Sequence, residues 1–180
     1  NLAGQAHAVV VRSPHAHADI RSIDTSAAKS MPGVLAVLTG QDLADDGIGA
    51  FPGPPPFFAS LTKPDGSPLI YPPQYALTSD RARYVGDPVA FIVAETLEQA
   101  RDASEVVEVD YAPIDSVVGT DRAMDDDAIQ LWDDVPNNFL FQAQIGDSDA
   151  TGKAFDEAAH VSSVRLVNKR IVQNSMEVRG

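Results

Sequence analysis

Residues 88–111 read PVAFIVAETLEQARDASEVVEVDY, and no other stretch constrains the fold as tightly. Pro88–Glu95 is a continuous apolar run of strand length, the pattern of a strand buried on both faces. Thr96 and Gln99 then have capping-box spacing. Leu97, Ala100, Ala103 and Val107 recur at three to four residues, which gives a helix over 97–105 one apolar face. Glu105–Tyr111 alternates as a half-buried strand until Pro113. A buried strand followed by an amphipathic helix requires further strands beside it and a layered core beneath it.

The rest of the chain supplies those strands. QAHAVVVR at 5–12 and Val34–Thr39 (VLAVLT) read as strands, the second as a buried one. Between them Asp24 is placed to cap a short helix over Thr25–Ser30, ended by Met31-Pro32-Gly33. Farther on, Phe139, Phe141, Ala143 and Ile145 alternate as a strand. Ser148 or Asp149 is placed to cap a helix over Ala150–Ala159, and a final strand starts near His160. Residues 47–75 break the pattern with Gly47, Gly49, Gly53, Pro52 and Pro54–Pro56 among aromatics Phe51, Phe57, Phe58, Tyr71 and Tyr75. This is a long loop, and its aromatic content argues against a disordered tether. Short helices between strands make the expected class an α+β or α/β layered domain.

Twenty-six acidic against thirteen basic residues leave a formal charge of -13 over 180 residues, which opposes binding to nucleic acid or anionic membranes. No apolar run is long enough to span a bilayer. The chain has no cysteine, so disulfides, thiolate catalysis, Fe–S ligation and zinc fingers are outside its reach. It opens on Asn1 without Met and closes on Met176-Glu177-Val178-Arg179-Gly180 in mid-motif, and it is expected to be a piece of a longer polypeptide.

The one metal-like pattern is SPHAHADI at 13–20. On an extended strand His15, His17 and Asp19 would share a face, two imidazoles and a carboxylate of the kind non-haem iron enzymes use. An edge strand with histidines bonded to backbone carbonyls produces the same letters and is the simpler reading. Gly86-Asp87-Pro88 precedes a strand, whereas phosphate cradles follow one, so it reads as a turn. No GxSxG, P-loop or HExxH occurs, and no carboxylate pair stands out.

Val11–Asp42, Arg83–Val109 with Asp110-Tyr111-Ala112-Pro113, Gly146-Asp147 before a helix, and the closing Asn174–Gly180 together resemble the molybdenum-containing large subunits of the xanthine dehydrogenase, aldehyde oxidase and carbon monoxide dehydrogenase family. Val178 stands where that family more often has proline, and Asp87 where it more often has glutamate. The resemblance implies an α+β fold, an α/β-hammerhead domain with a mixed sheet and short helices over 1–173, with 174–180 the truncated start of the molybdopterin-binding region. It implies a structural and assembly role without catalytic, cofactor-binding or metal-ligating residues of its own. The parent enzyme would oxidise aldehydes, N-heterocycles or CO with water-derived oxygen. It would use molybdopterin in downstream domains of the same chain, and Fe–S and FAD in partner modules. A cytoplasmic location is implied, with export alongside a partner subunit left open. His15 and His17 become structural residues in this reading. Phe51, Phe57, Phe58, Tyr71 and Tyr75 are expected to line a substrate channel or a domain interface, or else to cover a satellite core. Two competitors stand beside it: a free-standing protein-interaction module, and a small iron enzyme built on His15, His17 and Asp19.

Overall fold

The computed structural model describes residues 2–53, 62, 66–140 and 146–166. The chain divides into two compact units, Asn1–Pro55 with Tyr71–Ser116, and Pro56–Ile70 with Val117–Gly180.

The first unit holds two antiparallel three-stranded sheets. Strand β1 (His7–Arg12) and strand β3 (Val34–Thr39) flank β5 (Pro88–Ala94) in one; β4 (Arg81–Ala82) and β6 (Glu108–Pro113) flank β2 (Ala18–Asp24) in the other. The strand expected at Pro88–Glu95 lies at the centre of its sheet: Ile92 pairs with Val9 on one side and Val37 on the other. Helix α1 (Ser26–Lys29) and helix α3 (Leu97–Glu105) cover one face of this sheet. Ala28, Val37, Ile92, Ala94, Ala100 and Ala103 form the core there, with Val9, Val11 and Met31 packed against it. Small alanines on α3 let helix and sheet approach closely, so a nine-residue helix buries its face without long side chains.

The capping box at the start of α3 is formed as the spacing predicts: Gln99 N–H donates to Thr96 Oγ1 (3.2 Å), and Thr96 N–H to Gln99 Oε1 (3.0 Å). Other details differ. Asp24 does accept a backbone N–H, from Ser26 at 2.8 Å, but Thr25 occupies the cap position. Val34–Thr39 is only partly buried, with Leu35 57% exposed, because β3 is an edge strand covered on one face. The second strand of the 88–111 block starts at Glu108 rather than Glu105, since α3 keeps its last turn to Glu105. It reaches Pro113, which an edge strand tolerates. Helix α2 (Gly40–Asp45) was not foreseen. Thr39 and Asp42 form its capping box, with Asp42 where Glu or Gln is usual.

In the second unit Val135 is almost fully buried and Leu69 buried. The Asn138 side chain accepts the Leu131 N–H (2.9 Å) and donates to the carbonyls of Ala123 (2.9 Å) and Ile129 (3.0 Å), tying residues 123–138 together. Helix α4 (Ser148–Asp156) starts two residues before the expected position because Asp147, not Ser148 or Asp149, supplies the cap, accepting the Ala150 N–H at 2.9 Å. No strand begins at His160: residues 161–166 are exposed and irregular and pair with no strand among the described residues. Phe139 and Leu140 are likewise outside any strand; the remainder of that expected strand, 141–145, and the closing 174–180 lie outside the described residues.

Candidate functional site

Ser13 decides the fate of the SPHAHADI segment. Its side chain is buried and its Oγ accepts the His15 N–H (3.1 Å), while its own N–H donates to the Asp87 carbonyl (2.9 Å) and its carbonyl accepts the Gly86 N–H (2.8 Å). Residues 13–17 are thereby held in a bend against the Gly86-Asp87-Pro88 turn, and β2 begins only at Ala18. Strand alternation does not apply across 15–19. The three candidate donors consequently meet three different partners.

The His15 ring lies against Tyr111, centroids 4.9 Å apart and planes inclined at 58°. His17 is 2% exposed, with Nδ1 3.0 Å from the Asp115 carbonyl. A carbonyl only accepts, so Nδ1 is the donor here, and Nε2 is buried without a hydrogen-bond partner among the described residues. Asp19 Oδ1 takes the Arg81 Nε–H at 2.6 Å across the β2–β4 pair. The described residues contain no group of three His, Asp or Glu side chains placed to hold a metal ion. His15 and His17 tie this bend to β6 and to the segment after it.

A second polar cluster went unread in the sequence beyond its being a turn. Asp87 is buried and accepts the Arg83 N–H at 2.9 Å; burial pushes its carboxyl up from the usual range. Tyr84 beside it is raised by burial and then by the Asp87 charge. Arg12 Nη1 donates to the Gly86 carbonyl (2.9 Å). At Asp80, burial pulls the carboxyl up, but the Arg83 guanidinium 3.2 Å away outweighs it and the net direction is down. The only sequence signal was the spacing of Arg83 and Asp87 around a glycine. The cluster offers acceptors and cations already engaged with one another, so its role is to lock the turn before β5.

Of the five loop aromatics, Phe51, Tyr71 and Tyr75 are 59%, 41% and 53% exposed. The Phe51 N–H donates to the Gln74 carbonyl (2.7 Å), which draws the two ends of the loop together. Phe57 and Phe58 lie outside the described residues. Two clefts flank this region within the first unit. One, of about 220 Å³, is bordered by Ile48, Tyr75 and Asp80; the other, of about 430 Å³, is walled by Val10, Leu38, Leu77, Pro88 and Phe91.

Residues 1–115 match the family described as aldehyde oxidase and xanthine dehydrogenase, a/b hammerhead domain. The carbon monoxide dehydrogenase large chain of Afipia carboxidovorans is 34% identical over 188 residues, covering 98% of this chain and 21% of that protein. The nicotine 6-hydroxylase large subunit of Paenarthrobacter nicotinovorans is 34% identical over 181 residues, covering 100% of this chain and 21% of that protein. Among solved structures, reconstituted CO dehydrogenase from Oligotropha carboxidovorans superposes with a TM-score of 0.73 at 34% identity, over 89% of this chain and 20% of that one. The aldehyde oxidoreductase of Desulfovibrio gigas gives 0.67 at 29% identity, over 89% and 16%. The chain thus spans about a fifth of the length of the curated relatives named here.

Proposed function

Because the chain belongs to the aldehyde oxidase and xanthine dehydrogenase a/b hammerhead domain family, we propose that it serves as the structural and assembly domain of a molybdenum-dependent hydroxylase or dehydrogenase large subunit. The observation that carries this is the alignment of almost the whole chain with one fifth of two large subunits that act on different substrates, CO and nicotine. A segment shared across such different chemistry is a scaffold for it. In this reading 1–173 form the hammerhead domain, 174–180 begin the molybdopterin-binding region, and the cofactor is held by later domains. Electrons leave through Fe–S and FAD modules, in the cytoplasm; the compartment and the identity of these modules rest on the family resemblance.

Neither of the two clefts of the first unit suits a pterin. The larger cleft presents carbon, and the smaller one has the Asp80 carboxyl at its border, held below its usual range and so anionic, which repels a pterin phosphate. No chemical step is assigned to this chain. Among the described residues no helix is long and apolar enough to cross a membrane.

The exposed aromatics extend the proposal. Phe51, Tyr71 and Tyr75, with Phe57 and Phe58 from the same loop, line a substrate channel or an interface to another domain; the exposure of the first three supports this over the cover of a satellite core.

The test compares four preparations: the gene's full polypeptide, the 180-residue chain alone, and the full-length variants Phe51→Ala and Tyr75→Ala. Molybdenum should load the full polypeptide and be missing from the isolated chain. A channel role requires altered kcat/KM with molybdenum loading intact. Turnover by the isolated chain, or a full polypeptide that carries no molybdenum, would sink the assignment; unchanged kinetics in both variants would remove the channel.

A further inference from the structure

Pro88 opens β5, and the bond joining it to Asp87 is the one Asp–Pro peptide bond in the chain. Such a bond holds a nucleophile and a leaving group side by side. The aspartate carboxyl reaches its own main-chain carbonyl through a five-membered ring. The proline nitrogen, a tertiary amide without N–H, takes up a proton and departs more readily than a secondary amide nitrogen.

The fold acts on both partners of that reaction. The Asp87 carbonyl accepts the Ser13 N–H at 2.9 Å, a donor placed where negative charge builds on the oxygen during attack. The Asp87 side chain is buried, and its Oδ2 accepts the Arg83 N–H at 2.9 Å, which keeps the carboxyl inside the turn. The backbone is held on both sides of the bond: the Asp87 N–H donates to the Tyr84 carbonyl (3.2 Å) and the Thr78 N–H to the Pro88 carbonyl (2.8 Å). Arg83 and Asp80 face the carboxyl from either end of β4, Tyr84 from the turn and Tyr111 from β6, while Arg12 of β1 acts on Tyr84 and bonds the Gly86 carbonyl. Burial is the largest influence among these, and it raises the carboxyl. The neutral acid, the form that carries both the nucleophile and the proton, therefore persists to higher pH than it does on an unfolded chain.

We propose that Asp87–Pro88 is a self-cleavage site, at which mild acid divides the folded polypeptide into a piece ending at Asp87 and a piece beginning at Pro88. A carboxyl oxygen of Asp87 attacks the Asp87 carbonyl carbon, the carboxyl proton passes to the Pro88 nitrogen, and the C–N bond breaks. One water then opens the five-membered anhydride left on Asp87, so the balance is that of hydrolysis and no electrons are exchanged. Tyr84 and Val85, 57% and 66% exposed, bring the solvent to the turn that contains the bond. The two pieces stay together after the cut, because the pairings β1–β5, β3–β5 and β2–β6 all cross it.

The experiment incubates the gene's full polypeptide between about pH 4 and about pH 7, folded in one series and in urea in the other. Samples are returned to neutral pH and unfolded without heating, and intact masses and new amino termini are read by mass spectrometry. Pieces ending at Asp87 and beginning at Pro88 should accumulate, and the fall of the rate with rising pH should lie higher in the folded series than in urea. Asp87→Glu keeps the carboxyl but needs a six-membered ring, and Pro88→Ala supplies a secondary amide nitrogen. Each should slow the cut by at least about tenfold, and two variants guard against one that misfolds. An intact polypeptide at the acid end, a pH profile identical in urea, folded cleavage slower than unfolded at every pH, or undiminished cleavage in both variants would overturn the proposal.

Discussion

Asp42 and Asp87 sit in the same unit, and the fold drives their carboxyls in opposite directions. Asp42 Oδ2 accepts from Thr39 Oγ1 (2.6 Å) and from the Thr39 N–H (2.7 Å), and these bonds, the side-chain one foremost, hold it below the ordinary aspartate value of 3.8. Its contribution to stability is present above that value and is lost as pH falls through its lowered pKa. Asp87, raised by burial, contributes below 3.8 and loses that contribution as pH rises through its raised pKa. Urea titrations between about pH 3 and about pH 7 should therefore show Asp42→Asn most costly at the upper end, with the deficit closing in acid. Asp87→Asn, which keeps an acceptor for the Arg83 N–H, should instead compare best with the parent near neutral pH. Parallel pH trends in the two variants would refute the assignment. Neither carboxyl was legible beforehand, because each depends on a partner's side chain or on burial that letters do not carry. The same holds for His17, whose orphan Nε2 follows from the position of the Asp115 carbonyl, 98 residues away.

Helix α3 shows what was legible, and how a distant turn depends on it. Its limits, its caps and its apolar face all follow from local spacing, since a capping box and a 3.6-residue period are short-range. What local spacing could not show is that Gln99, besides capping the helix, lies over Gly33. Gly33 has φ +79, and a Cβ added there would stand 2.2 Å from Gln99 Nε2. Gly33→Ala thus adds left-handed strain and displaces the residue that caps α3. The expected loss is about 1–3 kcal/mol, summing roughly 1–2 for the backbone and up to about 1 for the cap. Chemical denaturation checks the size, and adding Gln99→Ala to Gly33→Ala should cost little more, since the cap is already broken. Full additivity of the two substitutions would show that the cap survives. Elsewhere the legible strands were those with long-range partners of matching pattern. The expectation of a strand after His160 rested on alternation alone, and residues 161–166 join no sheet among the described residues. Helix α2 was missed because the box at Thr39 uses Asp rather than Glu or Gln, and because its six residues are too few to show a period.

Across the whole molecule the charge of -13 sets a general repulsion against which the ion pairs work. Pairs such as Arg81–Asp19 and Arg83–Asp80 are local and partly shielded, whereas the excess negative charge is spread over the surface. Salt therefore screens more repulsion than attraction, and raising NaCl from about 0.02 M to about 0.5 M should raise the melting temperature by a few degrees. A fall would mean that the pairs dominate. The strand order β1-β5-β3 has a further consequence, which belongs to synthesis rather than to the finished protein. β1 is complete at Arg12 and β3 at Thr39, yet both hydrogen-bond to a strand that ends at Ala94. At roughly 5–20 residues per second, a ribosome leaves two apolar strands waiting unpaired for several seconds before their common partner emerges. During that interval each bare edge is open to any other nascent copy on the same messenger.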